Sequence, residues 1–110
     1  MKKFSLLDLS EISPSDQEFF ETITEGKNVR IERIVSSGQI SPDGFWYDQD
    51  DHEWVLVLQG EAELLMEKEG PVKLETGDYL FIPAHQLHRV TFTSASPPCI
   101  WLTVFFRDDD

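Results

Sequence analysis

The stretch that decides the fold runs from Gly77 to Val90 and reads GDYLFIPAHQLHRV. Pro83 has no backbone N–H to donate to a neighbouring strand, so it marks the end of one β-strand. The chain then turns, and a second strand begins at His88. Side chains alternate between the two faces of a strand, so His88 shares a face with Val90 and Phe92. Because these two neighbours are large and apolar, we expect the His88 side chain to point into the interior.

A second stretch, Gly44 to Gly60, reads GFWYDQDDHEWVLVLQG. The alternation places Tyr47 and Gln49 on one face of a short strand. After a loop rich in acidic residues, Glu53 opens a nearly continuous apolar strand. A carboxylate at the start of a buried strand is costly unless another group pairs with it. Glu53 and His88 each stand at a strand end on the inner face, so we expect them to meet across the mouth of a barrel.

Short runs of strand-forming residues, separated by turn residues, continue through the rest of the chain after residue 28. About eight or nine strands at this spacing indicate an all-β sandwich or barrel. Residues 68–71 are predicted to form a hairpin-like break. The clearest predicted strands are 29–35, 45–47, 54–59, 61–67, 79–83, 88–93 and 100–106.

The N-terminal region has a different pattern. Ser13-Pro14-Ser15-Asp16 is typical of the start of a helix, because proline suits the first helical turn. Phe19, Phe20 and Ile23 follow at helical spacing, and Gly26 ends the run. The sequence therefore predicts one short helix that packs on the outside of the β-domain through its phenylalanines.

Composition limits the classes of protein and partner. Of the 110 residues, 40% are hydrophobic and 27% charged, which is typical of a globular protein, and we expect a single domain over residues 1–110. With 21 acidic and 9 basic residues the formal net charge is −12, which disfavours nucleic-acid and membrane partners. Cys99 is the only cysteine, so no intramolecular disulfide can form, and no apolar run is long enough to span a bilayer. We expect a cytoplasmic protein.

Together the two stretches resemble the paired motifs of the cupin superfamily. Gly77, Pro83 and His88 fit the second motif, in which a glycine, a proline and a histidine stand at fixed spacing. Glu53 and Gly60 fit the latter half of the first motif, and the 16 residues between the motifs are a short gap, typical of small bacterial members. The resemblance implies a small single-domain cupin, whose fold is a double-stranded β-helix or jelly-roll barrel.

The resemblance also implies a metal site, although the sequence departs from the usual ligands. Cupins usually carry two histidines three or four residues before the glutamate of the first motif. Here those positions are Tyr47 and Gln49 with the shorter gap, or Trp46 and Asp48 with the longer one, and none of them is a histidine. By resemblance, Glu53 and His88 would be two of the usual ligands, and Gln49 could add a carbonyl oxygen. Such an oxygen-rich site with one imidazole would bind iron, manganese, nickel or zinc weakly.

Three classes of function are open for such a cavity. In the leading hypothesis a divalent metal and a small organic ligand share it, and Tyr47 or His85 acts as a catalytic proton donor or acceptor. Loss of the two histidines would instead suit a non-catalytic module that binds a small molecule. The third class is a metal-free acid–base enzyme, such as a sugar epimerase or isomerase. The resemblance further implies a homodimer.

Overall fold

The computed structural model describes residues 1–12 and 17–108, and the regular secondary structure of these residues is entirely β. No helix in this part of the chain is long and apolar enough to cross a membrane. The eight strands are β1 (Phe19–Glu25), β2 (Val29–Ser36), β3 (His52–Gln59), β4 (Ala62–Met66), β5 (Gly70–Leu74), β6 (Tyr79–Ile82), β7 (His88–Thr93) and β8 (Cys99–Phe106).

The strands form two antiparallel sheets, with the order β1-β2-β8-β3-β6 in one and β5-β4-β7 in the other. Alternate side chains of both sheets point into a shared core, as expected when one face of each sheet is buried. This arrangement confirms the predicted all-β jelly-roll barrel. The buried core residues are Val55, Val57, Ala62, Leu64, Met66, Leu74, Ile82, Cys99 and Trp101.

Most of the predicted strands lie within two residues of their observed bounds, but two differ. The predicted hairpin break at 68–71 is confirmed, since it joins β4 to β5, but β5 itself (Gly70–Leu74) was not predicted as a strand. Pro71 is compatible with this strand because β5 lies at the edge of its sheet, where a missing N–H is tolerated. In the predicted strand 45–47, Tyr47 forms a single bridge, with His88.

The predicted N-terminal helix is wrong over its described part. Residues 19–25 form β1, which pairs with β2 so that Phe19 lies opposite Val35 and Phe20 opposite Ile34. Three apolar residues at helical spacing are a weak signal, and aromatic and β-branched residues also favour strands. The backbone pairing with β2 decides between the two. The predicted helix start, residues 13–16, lies outside the described residues.

Gly60, which follows β3, is required by both backbone conformation and space. Its φ is +83°, and a Cβ at this position would lie 3.1 Å from both Cys99 Cα and the Pro98 carbonyl oxygen, and closer still to Ser94 Oγ. Gly77 has a similar φ of +94°, but no atom lies within 4 Å of where its Cβ would be. An alanine at either position would have a strained backbone, but only at Gly60 would its Cβ also contact other atoms. Comparing the two positions therefore distinguishes the cost of backbone strain from the cost of steric contact.

We expect Gly60→Ala to destabilise the fold more than Gly77→Ala does. A non-glycine residue in the left-handed region costs about 1–2 kcal/mol, and only Gly60 adds a clash to that cost. Urea unfolding curves of the two variants and the wild type would measure the difference. If both variants lose the same free energy of unfolding, the atoms around Gly60 move aside at no cost and the prediction is wrong.

Candidate ligand-binding site

A cavity of about 200 Å³ lies between the two sheets. A water occupies about 30 Å³ in the liquid, so the cavity has room for about seven waters or a small organic molecule of similar bulk. Its walls are mostly apolar and aromatic, and its polar groups come from both sheets. The lining residues are Glu18, Phe20, Glu32, Ile34, Tyr47, Gln49, Glu53, Val55, Leu64, Ile82, His88, Val90, Trp101, Thr103 and Phe105.

Glu53 and His88 meet in this cavity, as the sequence predicted. Glu53 stands near the start of β3 and His88 at the start of β7, so the pair joins the two sheets. His88 Nε2 lies 3.5 Å from Glu53 Oε1, and both residues are buried, with exposed fractions of 4% and 9%. Gln49 Nε2 donates a hydrogen bond of 3.0 Å to the same Glu53 oxygen. The three side chains form the polar end of the cavity.

The hydrogen bonds of His88 define its protonation. Its Nδ1 lies 2.8 Å from the Gln86 carbonyl oxygen, which can only accept, so Nδ1 carries a proton. Nε2 then faces the Glu53 carboxylate, an arrangement that favours a second proton and the imidazolium form. Burial lowers the pKa of His88, but the hydrogen bonds with Glu53 and the Gln86 backbone and the Glu53 charge outweigh it, so that the pKa is raised above its usual value.

Tyr47 forms one wall beside this pair. Its N–H donates to the His88 carbonyl at 2.7 Å, and its ring stacks on the His88 imidazole with centroids 5.3 Å apart. Burial raises the pKa of the phenol, and the charges of Glu18 and Glu53 raise it further. The phenol of Tyr47 therefore stays neutral at physiological pH. Tyr47 also lines the cavity, which its predicted role as a proton donor or acceptor requires.

His85 lies on the rim, and its side chain does not line the cavity. The side chain is 63% exposed, with Nδ1 2.7 Å from Asp48 Oδ1 and Nε2 3.5 Å from Asp50 Oδ1. Its φ is +66°, in the left-handed region. Glycine adopts this backbone conformation without the steric cost that a Cβ adds. The backbone N–H of His85 donates to the Gln49 carbonyl oxygen at 2.9 Å, but the His85 side chain lies apart from those of the other candidate residues.

Two acidic residues of the cavity, Glu18 and Glu32, were missed by the sequence analysis. Glu32 stands in β2 on the same face as Ile34, and Glu18 immediately precedes β1 on the same face as Phe20. In a strand, residues 18 and 20 point to the same face, so Glu18 could have been placed beside Phe20 in the cavity. That inference requires residues 18–25 to be predicted as a strand, whereas the sequence pattern indicated a helix.

The fold and site define a small jelly-roll barrel with an acid–histidine pair at the polar end of an internal cavity. Residues 34–105 match the sequence profile of the family described as Cupin domain, and the chain belongs to this family. A crystal structure from Ralstonia eutropha JMP134, of a "putative mannose-6-phosphate isomerase", is 38% identical, with a TM-score of 0.90 over 98% of this chain and 100% of that one.

More distant structures share the fold. A cupin superfamily protein from Desulfitobacterium hafniense has 20% identity and a TM-score of 0.73, over 87% of this chain and 83% of its own. The polyketide cyclase RemF from Streptomyces resistomycificus has 16% identity and a TM-score of 0.72, over 98% of this chain and 80% of its own. No curated protein matches the sequence.

We expect the imidazole of His88 to titrate above the usual histidine pKa of about 6.5, and below it in Glu53→Gln. The variant removes the charge that raises the pKa and leaves the burial that lowers it. NMR titration of the ring protons measures both pKa values. The matched control is Glu75→Gln, which removes an exposed carboxylate in the turn between β5 and β6. An unchanged pKa in Glu53→Gln would contradict the pairing.

The sign of the pH dependence of stability follows from the same shift. Because the folded state has the higher pKa, the pair contributes stability that is fully present below about pH 6.5 and is lost as the pH rises through the folded value.

We expect the stability of His85→Gly, relative to that of the wild type, to increase as the pH rises. The hydrogen bond with Asp48 raises the pKa of His85 against a small opposing effect of burial, and the Asp48 and Asp50 charges raise it further. The stabilisation from these contacts is therefore fully present below about pH 6.5 and lost as the pH rises through the folded pKa. His85→Gly loses the contacts but also relieves the backbone strain.

Thermal unfolding of the wild type, His85→Gly and His85→Ala across pH separates the two effects. Alanine keeps the strain and lacks the imidazole, so Tm should differ between glycine and alanine by a constant amount. A glycine–alanine difference that varies with pH would contradict this account.

Proposed function

We propose that this chain binds a small organic ligand in the barrel cavity, with Gln49, Glu53 and His88 binding the polar end of the ligand. The observation that carries the proposal is the buried Glu53–His88 pair, which opens onto a cavity with apolar walls. Burying two ionisable groups costs stability, and a fold tolerates that cost most readily where the groups contact a ligand. Apolar walls with a few convergent polar groups are the usual composition of small-molecule sites.

A metal is not required for this binding. Glu53 and His88 are the strong donors at the site, and Gln49 donates its amide N–H to Glu53 rather than presenting its carbonyl oxygen. Among the described residues, no group of three His, Cys, Asp or Glu side chains is placed to hold a metal ion. This donor set does not fit a tightly bound metal. The alternative, in which iron, manganese, nickel or zinc binds Glu53, His88 and Gln49, is one outcome of the test below.

The pair also equips the site for acid–base chemistry. His88 Nε2 faces Glu53 Oε1 at 3.5 Å, so a proton held between them could pass to a ligand atom placed against Nε2. Tyr47 stacks on the imidazole and holds its plane. A metal-free acid–base enzyme is therefore the second candidate function, and the contact between Glu53 and His88 favours it.

A sugar phosphate, the ligand class in the name of the Ralstonia protein, suits this cavity poorly. Among the described residues, the cavity is lined by the carboxylates of Glu18, Glu32 and Glu53, and the one basic lining side chain, His88, is already paired. A phosphate would be repelled by these charges. We therefore expect mannose 6-phosphate to produce no saturable change in the NMR spectrum of the protein.

The probe that we would use first is 3,3-dimethylbutan-1-ol, a neutral molecule with a compact apolar end and one hydroxyl. We expect saturable chemical-shift changes at the backbone amides of Tyr47, His88 and Trp101, unchanged by EDTA. Loss of one hydrogen bond to a charged group is worth about 1.5–3 kcal/mol, so His88→Gln should weaken binding about ten- to 150-fold. His85→Gln is the matched control, because His85 lies outside the cavity.

Two results would contradict the proposal. Without saturable shifts the cavity is not a ligand site. If binding needs a stoichiometric metal that is lost in both Glu53→Gln and His88→Gln, the metal-dependent alternative is correct and the metal-free proposal is wrong. Metal analysis of the protein purified without a histidine tag gives the second result directly.

A further inference from the structure

The three carboxylates that line the cavity differ in how their charges are compensated. Glu53 is paired with His88, and Glu32 forms an ion pair of 2.6 Å with Arg30 Nε. Glu18 accepts a hydrogen bond of 2.5 Å from the neutral hydroxyl of Ser36, and no basic side chain of residues 1–12 or 17–108 forms an ion pair with it. The remaining residues, 13–16 and 109–110, include no Lys, Arg or His. The Glu18 charge is therefore left without a counter-charge.

The structure shows the reach of this charge across the cavity. Glu18 contributes to the raised pKa of Tyr47, after burial, and it also contributes, again after burial, to raising the pKa of Cys99 to about 12. Tyr47 lies in the segment between β2 and β3 and bridges His88 of the small sheet, whereas Cys99 belongs to β8 of the large sheet. The Glu18 charge thus acts on Tyr47, which lines the cavity, and on Cys99, which is buried in the core.

Aromatic side chains make up much of the wall of the cavity, and the ring of one of them, Phe105, already lies 4.5 Å from the Arg30 guanidinium. Phe20, Tyr47, Trp101 and Phe105 all line the cavity. Trp101 donates its indole N–H to Ser36 Oγ at 3.1 Å, so a continuous hydrogen-bond chain connects Trp101, Ser36 and Glu18. Aromatic faces attract cations, and the attraction is stronger where water is excluded. A carboxylate among aromatic rings is an environment that favours an organic cation over a neutral or anionic molecule.

We propose that the cavity takes a small organic cation of the ammonium class, whose charge lies against the Glu18 carboxylate and whose apolar groups pack on Phe20 and Trp101. This inference rests on the proposed function, since it names the ligand class of the same cavity. The polar group at the other end of the cation would reach the Gln49–Glu53–His88 cluster. An ammonium of this kind supplies the missing counter-charge without changing any of the existing ion pairs.

The test compares three probes of nearly the same shape and different charge: choline, 3,3-dimethylbutan-1-ol and 3,3-dimethylbutanoate. We expect choline to bind most tightly and the carboxylate least, as measured by NMR titration or calorimetry at low salt. In Glu18→Gln the affinity for choline should fall about tenfold, which corresponds to about 1.4 kcal/mol. The affinity for the neutral alcohol should change by less than a factor of two, which also shows that the cavity of the variant is intact.

Glu75→Gln is the matched control, because it makes the same change in net charge at an exposed turn. It should leave the preference for choline unchanged. If the preference survives in Glu18→Gln, the assignment of the charge to Glu18 is wrong. If the neutral or the anionic probe binds as tightly as choline, the cation inference is wrong while the ligand-binding function stands. If none of the three probes binds, both proposals fail.

Discussion

The burial of Glu53 and His88 is the constraint on which the organisation of this barrel depends. A carboxylate and an imidazole cannot be removed from water separately without a large cost, so each side chain must reach the other across the space between two sheets. The turn before β7 holds the imidazole through the Gln86 carbonyl, and Gln49 holds the carboxylate from the loop before β3. The positions of that loop, of Tyr47 and of the start of β7 all follow from this one contact.

The charges of the cavity differ from those of the surface in a way that matters for recognition. Much of the surface charge is screened by solvent and salt, whereas a charge on the cavity wall acts at short range in a region with little water. The difference among Glu53, Glu32 and Glu18 is therefore informative, although all three are glutamates near the same space. Glu53 and Glu32 balance positive groups of the protein itself, and among the described residues Glu18 has no such partner.

The sequence was a good guide to the features that depend on local alternation and motif spacing. Strand faces along β3 and β7 follow a period of two, so the meeting of Glu53 and His88 could be predicted from their positions at strand ends. The glycine spacing of the two motifs reflects backbone conformations, such as the positive φ at Gly60 and Gly77. These features depend only on residues that are close together in the chain, so they can be predicted from a single sequence.

Features that depend on pairing between distant segments could not be predicted in this way. The apolar residues 19, 20 and 23 fit a helix as well as a strand, and only the register with β2 decides between them. With β1 taken as a helix, no argument could place Glu18 in the cavity. His85 was taken as a catalytic candidate because it is close to His88 in sequence, but its left-handed backbone turns it toward Asp48 and Asp50 on the rim.

The position of β1 at the edge of the large sheet has a consequence for motion. This strand is bonded to β2 alone, and most of its residues are exposed, whereas β8 lies between β2 and β3 and is largely buried. Local opening therefore costs less free energy at β1 than at the centre of the sheet. Phe20 and the adjacent Glu18 would move with that strand, so a transient detachment of β1 gives solvent and small molecules a route into the barrel while the rest of the sheet stays folded.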